Sequence, residues 1–106
     1  MANINKTPIL FYVRGNSMND GSRKSLIEGD VLTCEEIDIQ SVEEDRLYVI
    51  QSNGDTFVRR VTLCDNDQLT AIPLNASYEE CKLNKSDVQH IYLIVMRQCT
   101  TVIDIE

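Results

Sequence analysis

Ser17 is the residue best placed for chemistry, because it lies in a turn that directly follows an apolar run at residues 9–13. A strand that ends in a glycine-containing turn can present a serine hydroxyl at its tip, where a nucleophile could sit. Gly15 allows the sharp turn and frees nearby N–H groups to face an incoming carbonyl as an oxyanion hole. Ser17 is therefore the candidate nucleophile, and Gly15 and Met18 are the candidate turn and oxyanion residues.

A serine hydroxyl needs a base that takes its proton, and a lysine can serve if burial lowers its pKa towards neutrality. The run at residues 56–63 has strand character, and a period of two puts Phe57, Arg59 and Val61 on one face. Arg59 is thus in phase with apolar residues, where a solvent-facing charge would not normally be placed. A guanidinium stays protonated in proteins, so Arg59 cannot accept the Ser17 proton. The sequence therefore predicts a nucleophile without its base.

Other bases are poorly placed for this task. The lysines lie near polar loop residues, which leaves their pKa close to that of free lysine and too high for a general base. They are Lys6, Lys24, Lys82 and Lys85. His90, the sole histidine, lies in the apolar segment 88–96 without an orienting carboxylate in its motif, and we expect it to be a strand residue.

Short runs rich in β-branched and aromatic residues alternate with clusters of Gly, Asn, Asp and Ser, which predicts a mostly β fold. The predicted strands cover residues 9–14, 30–35, 46–51, 56–63, 68–73 and 88–96. Asn53 and Gly54 lie between two of these runs and tolerate the positive φ angles of a tight turn, which favours an antiparallel hairpin. Helical periodicity is weak, so at most short helical turns are expected, after Ser17 and at residues 25–27.

A chain of 106 residues is expected to form one domain, with a loose lead-in at residues 1–8 and the domain at 9–106. The net charge of −7 disfavours direct contact with the phosphates of DNA. No apolar run approaches the roughly 20 residues of a membrane span, and residues 1–6 lack an apolar signal core. A cytoplasmic protein that contacts no membrane is therefore expected.

The four cysteines are too widely spaced for a metal knuckle or a redox pair, and no secretory context favours disulfides. They are Cys34, Cys64, Cys81 and Cys99, and we expect all of them to be reduced. The acidic groups at residues 35–38 and 43–45 match no calcium-loop spacing, so they are expected to be solvated. The sequence predicts no cofactor and no metal site.

The order of several segments resembles the C-terminal domain of LexA, UmuD and lambda-type phage repressors. Those proteins are self-cleaving serine/lysine peptidases with a signal-peptidase-like fold. The matching segments are FYVRGNSMND, IEGDVLTCEE, the hairpin RLYVIQSNGDTFVRRV, and Pro73-Leu74-Asn75 with Tyr78. The resemblance implies a LexA C-terminal-domain-like, β-rich fold with antiparallel hairpins, and it implies that Ser17 stands at the nucleophile position.

The chain departs from that family at the general base. The resemblance places a lysine in the second hairpin strand, in a Val-Lys-Arg-Leu context, and here Arg59 occupies that position. The interval from Asp20 to Glu28 is also longer than the usual spacing, which puts substrate access in doubt. The alternative interpretation is that Ser17 caps a short helix and that Arg59 is an inward charge which discourages edge pairing.

We therefore expect a catalytically silent dimerisation or regulatory domain of a phage-repressor-like or SOS-type transcriptional regulator. A homodimer through exposed strand edges, including residues 91–96, would bring two DNA-reading domains to paired half-sites. Contact with DNA would come only through a separate helix-turn-helix domain outside this chain. The chain is then either an excised C-terminal domain or a stand-alone relative.

An enzyme is the alternative function. A self-cleaving-type serine peptidase would use Ser17 on a linker outside this chain, because no Ala-Gly or Cys-Gly bond occurs in the sequence. The resemblance implies RecA filaments as a stimulus for that reaction. A signal peptidase shares the fold, but no membrane anchor occurs in the sequence.

Overall fold

One antiparallel sheet organises the residues that the computed structural model describes, which are 7–22, 25–65 and 67–98. Its strands are β1 (Ile9–Tyr12), β2 (Val31–Ile37), β3 (Arg46–Ser52), β4 (Asp55–Leu63), β5 (Gln68–Ile72), β6 (Cys81–Asn84) and β7 (Val88–Gln98). They pair in the order β1-β2-β7-β3-β4-β5-β6. The mostly β fold with antiparallel hairpins predicted from the sequence is confirmed. The domain boundary after residue 8 stays a prediction.

The six predicted strands all form, and the sequence missed only β6 among the described strands. Residues of β6 are mostly exposed and polar, so no alternation of apolar side chains marks the strand. It forms because β5 offers a free edge, and Leu69 pairs with Leu83 across that edge. Pairing with a neighbour, rather than local pattern, determines this strand.

The hairpin of β3 and β4 has the predicted turn, with φ angles of 53° at Asn53 and 83° at Gly54. The register places Ser52 opposite Asp55 and Tyr48 opposite Arg59. The Asn-Gly turn therefore fixes which residue of β3 faces Arg59.

The helical content lies elsewhere than predicted, in 3-10 helices at Ile39–Ser41 and Lys85–Asp87. The Asp38 carboxylate accepts a hydrogen bond from the Gln40 N–H and so caps the first of them. Neither the described residues directly after Ser17 nor residues 25–27 form a helix, which agrees with the expectation of at most short helical turns. The Leu26 N–H donates to Met18 O, a partner eight positions away, which diverts this segment from helical hydrogen bonding. No helix formed by the described residues has the length and apolar character of a membrane span.

Two groups of buried side chains pack on the sheet, and β3 contributes to both through the alternation of its side chains. The first core contains Val13, Met18, Leu26, Leu32, Cys34, Val49 and Tyr92. The second core contains Val42, Tyr48, Ile50, Val61, Leu69, Ala71 and Ile91. The first core includes Met18, so it anchors the turn that carries Ser17.

The C-terminal apolar run, which the sequence predicted to be an exposed strand edge, lies inside the sheet over its first half. It belongs to β7, which lies between β2 and β3 in the sheet interior. Ile91 and Tyr92 are buried in the two cores, and only Val95 and Met96 of the run are exposed. The run has apolar side chains on both faces of the strand because the domain itself covers both faces of its first half. Residues 91–93 therefore have partners on both sides, whereas Ile94 and Met96 pair only with β2 among the described strands, and the part of this run in a dimer edge stays a prediction.

Candidate active site

Ser17 and Arg59 lie next to each other, although 42 positions separate them in the chain. The Nη1 nitrogen of Arg59 donates a hydrogen bond to the Ser17 Oγ over 2.9 Å. The same nitrogen donates to the carbonyl oxygen of Val58 over 2.7 Å. The structure thus brings together the candidate nucleophile and the residue at the base position, while the catalytic roles stay predictions.

The turn that carries Ser17 is held by Asn75. The Asn75 N–H donates to Ser17 O over 2.9 Å, and the Asn75 side-chain amide donates to Asn16 O over 3.0 Å. Met18 is 1% exposed and fixes the turn from the core side. Asn75 entered the sequence argument only as a fold marker, and its positioning role was missed. Its clamp joins segments 59 positions apart, so no local pattern could have indicated it.

Gly15 has φ of 73°, in the left-handed region that favours glycine. A Cβ at Gly15 would meet no other heavy atom within 4 Å, so conformation rather than space requires glycine here. The Gly15 N–H is not free for an oxyanion, because it donates to Glu28 Oε1 over 3.2 Å. Among the described residues, none accepts a hydrogen bond from the N–H of Ser17 or Met18. Those two N–H groups, rather than that of Gly15, are available to an oxyanion in this turn.

A cleft of about 390 Å³ opens beside Ser17, between the end of β1 with its following turn and the strand β4. Apolar side chains form much of its walls, and the polar side chains of Ser17 and Arg59 meet within it. The apolar members include Phe11, Val13, Val49, Phe57 and Val58, and the polar members include Arg14, Ser17, Arg59 and Tyr78. A concave apolar site with a few convergent polar groups is the usual form of a binding site.

Arg59 is a half-buried cation in this cleft. Burial lowers the pKa of its guanidinium, while the nearby Cys81 and Tyr78 side chains act to raise that pKa. The guanidinium carbon lies 5.4 Å from the centre of the Phe57 ring, within the range of a cation–π contact. Arginine remains protonated in proteins even when partly buried, so Arg59 acts as a hydrogen-bond donor and not as a base.

The alternative bases that the structure describes do not line the cleft. Lys82 lies on β6 and Lys85 in the second 3-10 helix, and neither lines the cleft. Lys6 and Lys24 lie outside the described residues. His90 is exposed on β7, as the strand prediction required, and its Nδ1 lies 2.7 Å from Glu36 Oε2. His90 therefore has the carboxylate partner that its motif did not indicate, but it does not line the cleft either.

The segment between Asp20 and Glu28 is organised by its own hydrogen bonds. Asp20 Oδ1 accepts from the Ser22 N–H over 2.9 Å and from the Ser25 hydroxyl over 2.8 Å. The Ser22 side chain first, then the Ser22 N–H and the Ser25 hydroxyl, lower the pKa of Asp20 to about 2. The Arg97 guanidinium donates to Ser25 O and holds the segment against β7. No described residue of this segment lines the cleft, so its added length does not obstruct the cleft there.

Three of the predicted thiols belong to the described residues. Cys34 is buried in the first core, and Cys64 and Cys81 are exposed, and none of these three forms a disulfide. Burial raises the pKa of the Cys34 thiol to about 11. Cys99 lies outside the described residues, so the reduced state of all four cysteines stays a prediction.

One known protein family matches the part of the chain that contains the site. The model described as peptidase S24-like matches residues 1–95, which include Ser17, Arg59 and Asn75. The chain belongs to the peptidase S24-like family. The resemblance to the C-terminal domains of LexA, UmuD and phage repressors is thereby confirmed. No curated protein matches the chain significantly. This peptidase S24-like domain retains the serine turn and carries an arginine at the expected position of the lysine.

Proposed function

We propose that this peptidase S24-like domain is a catalytically silent dimerisation or regulatory unit of a phage-repressor-like or SOS-type transcriptional regulator, working in the cytoplasm. The observation that carries the proposal is the hydrogen bond from Arg59 Nη1 to Ser17 Oγ. A protonated guanidinium donates to the hydroxyl oxygen and has no lone pair with which to take the hydroxyl proton. We therefore expect no covalent reaction of Ser17 with acylating or phosphonylating reagents.

Self-association is the role that a silent domain of this family would retain. An apolar patch formed by Leu10, Tyr12 and Met96 supports it, since these side chains are 63%, 71% and 50% exposed. Leu10 pairs with Thr33 and Thr33 with Met96, so Leu10 and Met96 share one face of the sheet. Tyr12, two positions after Leu10 in β1, extends the patch on that face. A second copy is the proposed occupant, because a two-fold axis would cover the same patch on both partners.

Dimerisation would give the domain its place in transcriptional regulation. The net charge of −7 opposes direct contact with DNA phosphates, so DNA would be reached through a separate helix-turn-helix domain outside this chain. Two such domains, joined by the dimer, would meet paired half-sites. Sedimentation velocity at high micromolar protein concentration tests this role: a dimer supports it, and monomer alone would contradict it.

A serine peptidase that acts on a linker outside this chain is the second candidate function. The N–H groups of Ser17 and Met18 favour it, because no described residue accepts a hydrogen bond from them and they lie in the same turn as the hydroxyl. By family resemblance, RecA filaments would stimulate such a reaction. A serine-directed phosphonate separates the two functions: labelling of Ser17 in the unmodified protein supports the peptidase, and no labelling supports the silent domain.

A further inference from the structure

Arg59 is a half-buried cation without a carboxylate partner among the described residues. The ion pairs there join Arg46 to Glu43, Arg60 to Asp45, His90 to Glu36 and Arg97 to Asp30. Charges removed from water are normally paired, because an unpaired one loses hydration without compensation. The chain carries 17 acidic residues against 10 basic ones, so acidic side chains are abundant and none of the described ones pairs with Arg59. As far as residues 7–22, 25–65 and 67–98 are concerned, this cation therefore has a position open to an anion.

The unused donors of Arg59 have the geometry of a carboxylate receptor. A guanidinium has five N–H donors. The hydrogen bonds to Ser17 Oγ and Val58 O both come from Nη1. Within residues 7–22, 25–65 and 67–98, no acceptor binds Nε or Nη2. These two nitrogens form one planar side of the guanidinium, which can donate two parallel hydrogen bonds to the two oxygens of a carboxylate.

We propose that the Ser17–Arg59 cleft binds the C-terminal carboxylate of an apolar peptide, with Nε and Nη2 of Arg59 as the two donors. A single half-buried guanidinium matches the single charge of a carboxylate better than the two charges of a phosphate. Arg14 lines the same cleft from an exposed position and adds a longer-range attraction to the anion.

The surroundings of Arg59 favour a terminal carboxylate over an acidic side chain. The Phe57 ring lies directly beside the guanidinium, and Phe11 and Val13 line the same cleft. In a C-terminal residue the carboxylate and the side chain share one Cα, so an apolar side chain reaches these walls while the carboxylate meets Arg59. The carboxylate of Asp or Glu replaces the apolar side chain instead of accompanying it. Peptide binding is a property distinct from dimerisation, so it goes beyond the proposed function, and Tyr12 belongs both to the cleft wall and to the apolar patch.

Fluorescence anisotropy with labelled peptides tests the proposal. The probes are fluorescein-labelled Ala-Ala-Val-Leu with a free carboxylate, the same peptide as its C-terminal amide, and an amide in which Glu replaces the last Leu. At low salt we expect the free acid to bind at least about tenfold more tightly than either amide, because charge-assisted bidentate hydrogen bonds are among the strongest in proteins. Equal binding of acid and amide, absence of binding up to about 1 mM, or preference for the Glu amide would overturn the proposal.

Variants locate the effect at Arg59. Arg59→Gln should abolish the preference for the acid, and Arg59→Lys should keep only part of it, since an ammonium lacks the planar pair of donors. Arg60→Gln is the matched control, because Arg60 pairs with Asp45 and does not line the cleft, and it should keep the full preference. Retention of the preference in Arg59→Gln would contradict the assignment.

A measurement on the unmodified protein avoids any dependence on variant folding. The ¹⁵N resonance of the Arg59 Nε–H should shift on addition of the acid peptide and stay in place with the amide. Acetate should compete with the acid peptide at least as well as inorganic phosphate does. An unmoved Nε–H signal, or stronger competition by phosphate than by acetate, would overturn the carboxylate site.

Discussion

Arg59 donates a hydrogen bond from Nη1 to the hydroxyl oxygen of Ser17 over 2.9 Å, so the oxygen that would attack a substrate accepts a hydrogen bond from a cation. A lysine in this place would have to lose its own proton and then accept the hydroxyl proton. The Arg59 guanidinium does the opposite, because it donates a hydrogen bond to the hydroxyl oxygen and keeps its own proton and charge. If Ser17 stands at a nucleophile position, as we propose, this hydrogen bond leaves it without a base.

The Asn75 clamp predicts a measurable effect on stability. Asn75→Ala removes the amide bond to Asn16 O and the acceptor for the Ser77 N–H, at 3.0 and 2.9 Å. We expect the free energy of unfolding to fall by about 1 to 2 kcal/mol, the net value of two hydrogen bonds of this kind. Urea denaturation measures the change. Asn84→Ala is the control, with a smaller loss because Asn84 is exposed whereas Asn75 is partly buried, and an equal loss in both variants would argue against the clamp.

The cysteines should differ in reactivity with iodoacetamide. The thiolate is the reactive form, and burial holds the pKa of Cys34 at about 11, against an ordinary value of 9.0. At pH 8 we expect the thiolate fraction of Cys34 to be about 100-fold lower than that of a thiol with the ordinary pKa. Burial in the first core also slows the access of iodoacetamide to Cys34. Mass spectrometry of the native protein should find Cys64 and Cys81 alkylated well before Cys34. Alkylation of Cys34 as fast as Cys81 would contradict the burial, and denatured protein should show equal rates.

The carboxyl of Asp20 should titrate well below its ordinary range. Its pKa is lowered from 3.8 to about 2, first by the Ser22 side chain. Because the folded value is the lower one, the stabilising contribution is complete above the ordinary pKa and is lost as the pH falls from about 4 through about 2. NMR titration of the Asp20 carboxyl carbon measures the value directly. Ser22→Ala should move it up towards 3.8, and an unchanged value in this variant would exclude the Ser22 hydrogen bond as the main cause.

The dimer proposal predicts a selective effect of one charge in the apolar patch. Leu10→Glu puts a carboxylate where the two copies would meet, and burial of an unpaired charge there should weaken the dimer by at least about tenfold. Sedimentation velocity across a range of concentrations gives the dissociation constant. Leu63→Glu is the matched control, since Leu63 is also exposed but lies at the end of β4, and it should leave the dimer intact. Loss of the dimer in Leu63→Glu alone would move the interface away from Leu10.

Local patterns in the sequence predict much of this fold. The turn at Asn53 and Gly54 follows from the φ angles that these residue types tolerate, and the hairpin register then sets the position of Arg59. The sequence also predicts that Ser17 follows an apolar strand and that Arg59 shares a strand face with apolar residues. The structure places the two side chains in contact. Family resemblance supplied the expectation that they face each other, since no local rule connects residues so far apart.

The features that sequence reasoning missed depend on contacts between distant segments. The strand β6 is polar and forms because β5 has a free edge, so it has no apolar signature. Asn75 and Glu28 act through bonds to the serine turn across 59 and 13 positions, which composition and periodicity do not encode. The apolar run in β7 suggested an exposed edge because a strand whose two faces are buried inside its own domain has the same continuous apolar sequence as a strand whose faces are buried by a second copy.

Labelling by a serine-directed phosphonate at alkaline pH tests the silence of Ser17 most directly. The account predicts no label on Ser17 in the unmodified protein and a detectable label in Arg59→Lys, where burial lowers the pKa of the new lysine. A positioned base contributes about 10²- to 10⁴-fold to such a reaction, which mass spectrometry resolves easily. Ser17→Ala in the Arg59→Lys background is the control and should remove the label. A label on Ser17 in the unmodified protein, lost in Ser17→Ala, would contradict the account and establish an active serine beside Arg59.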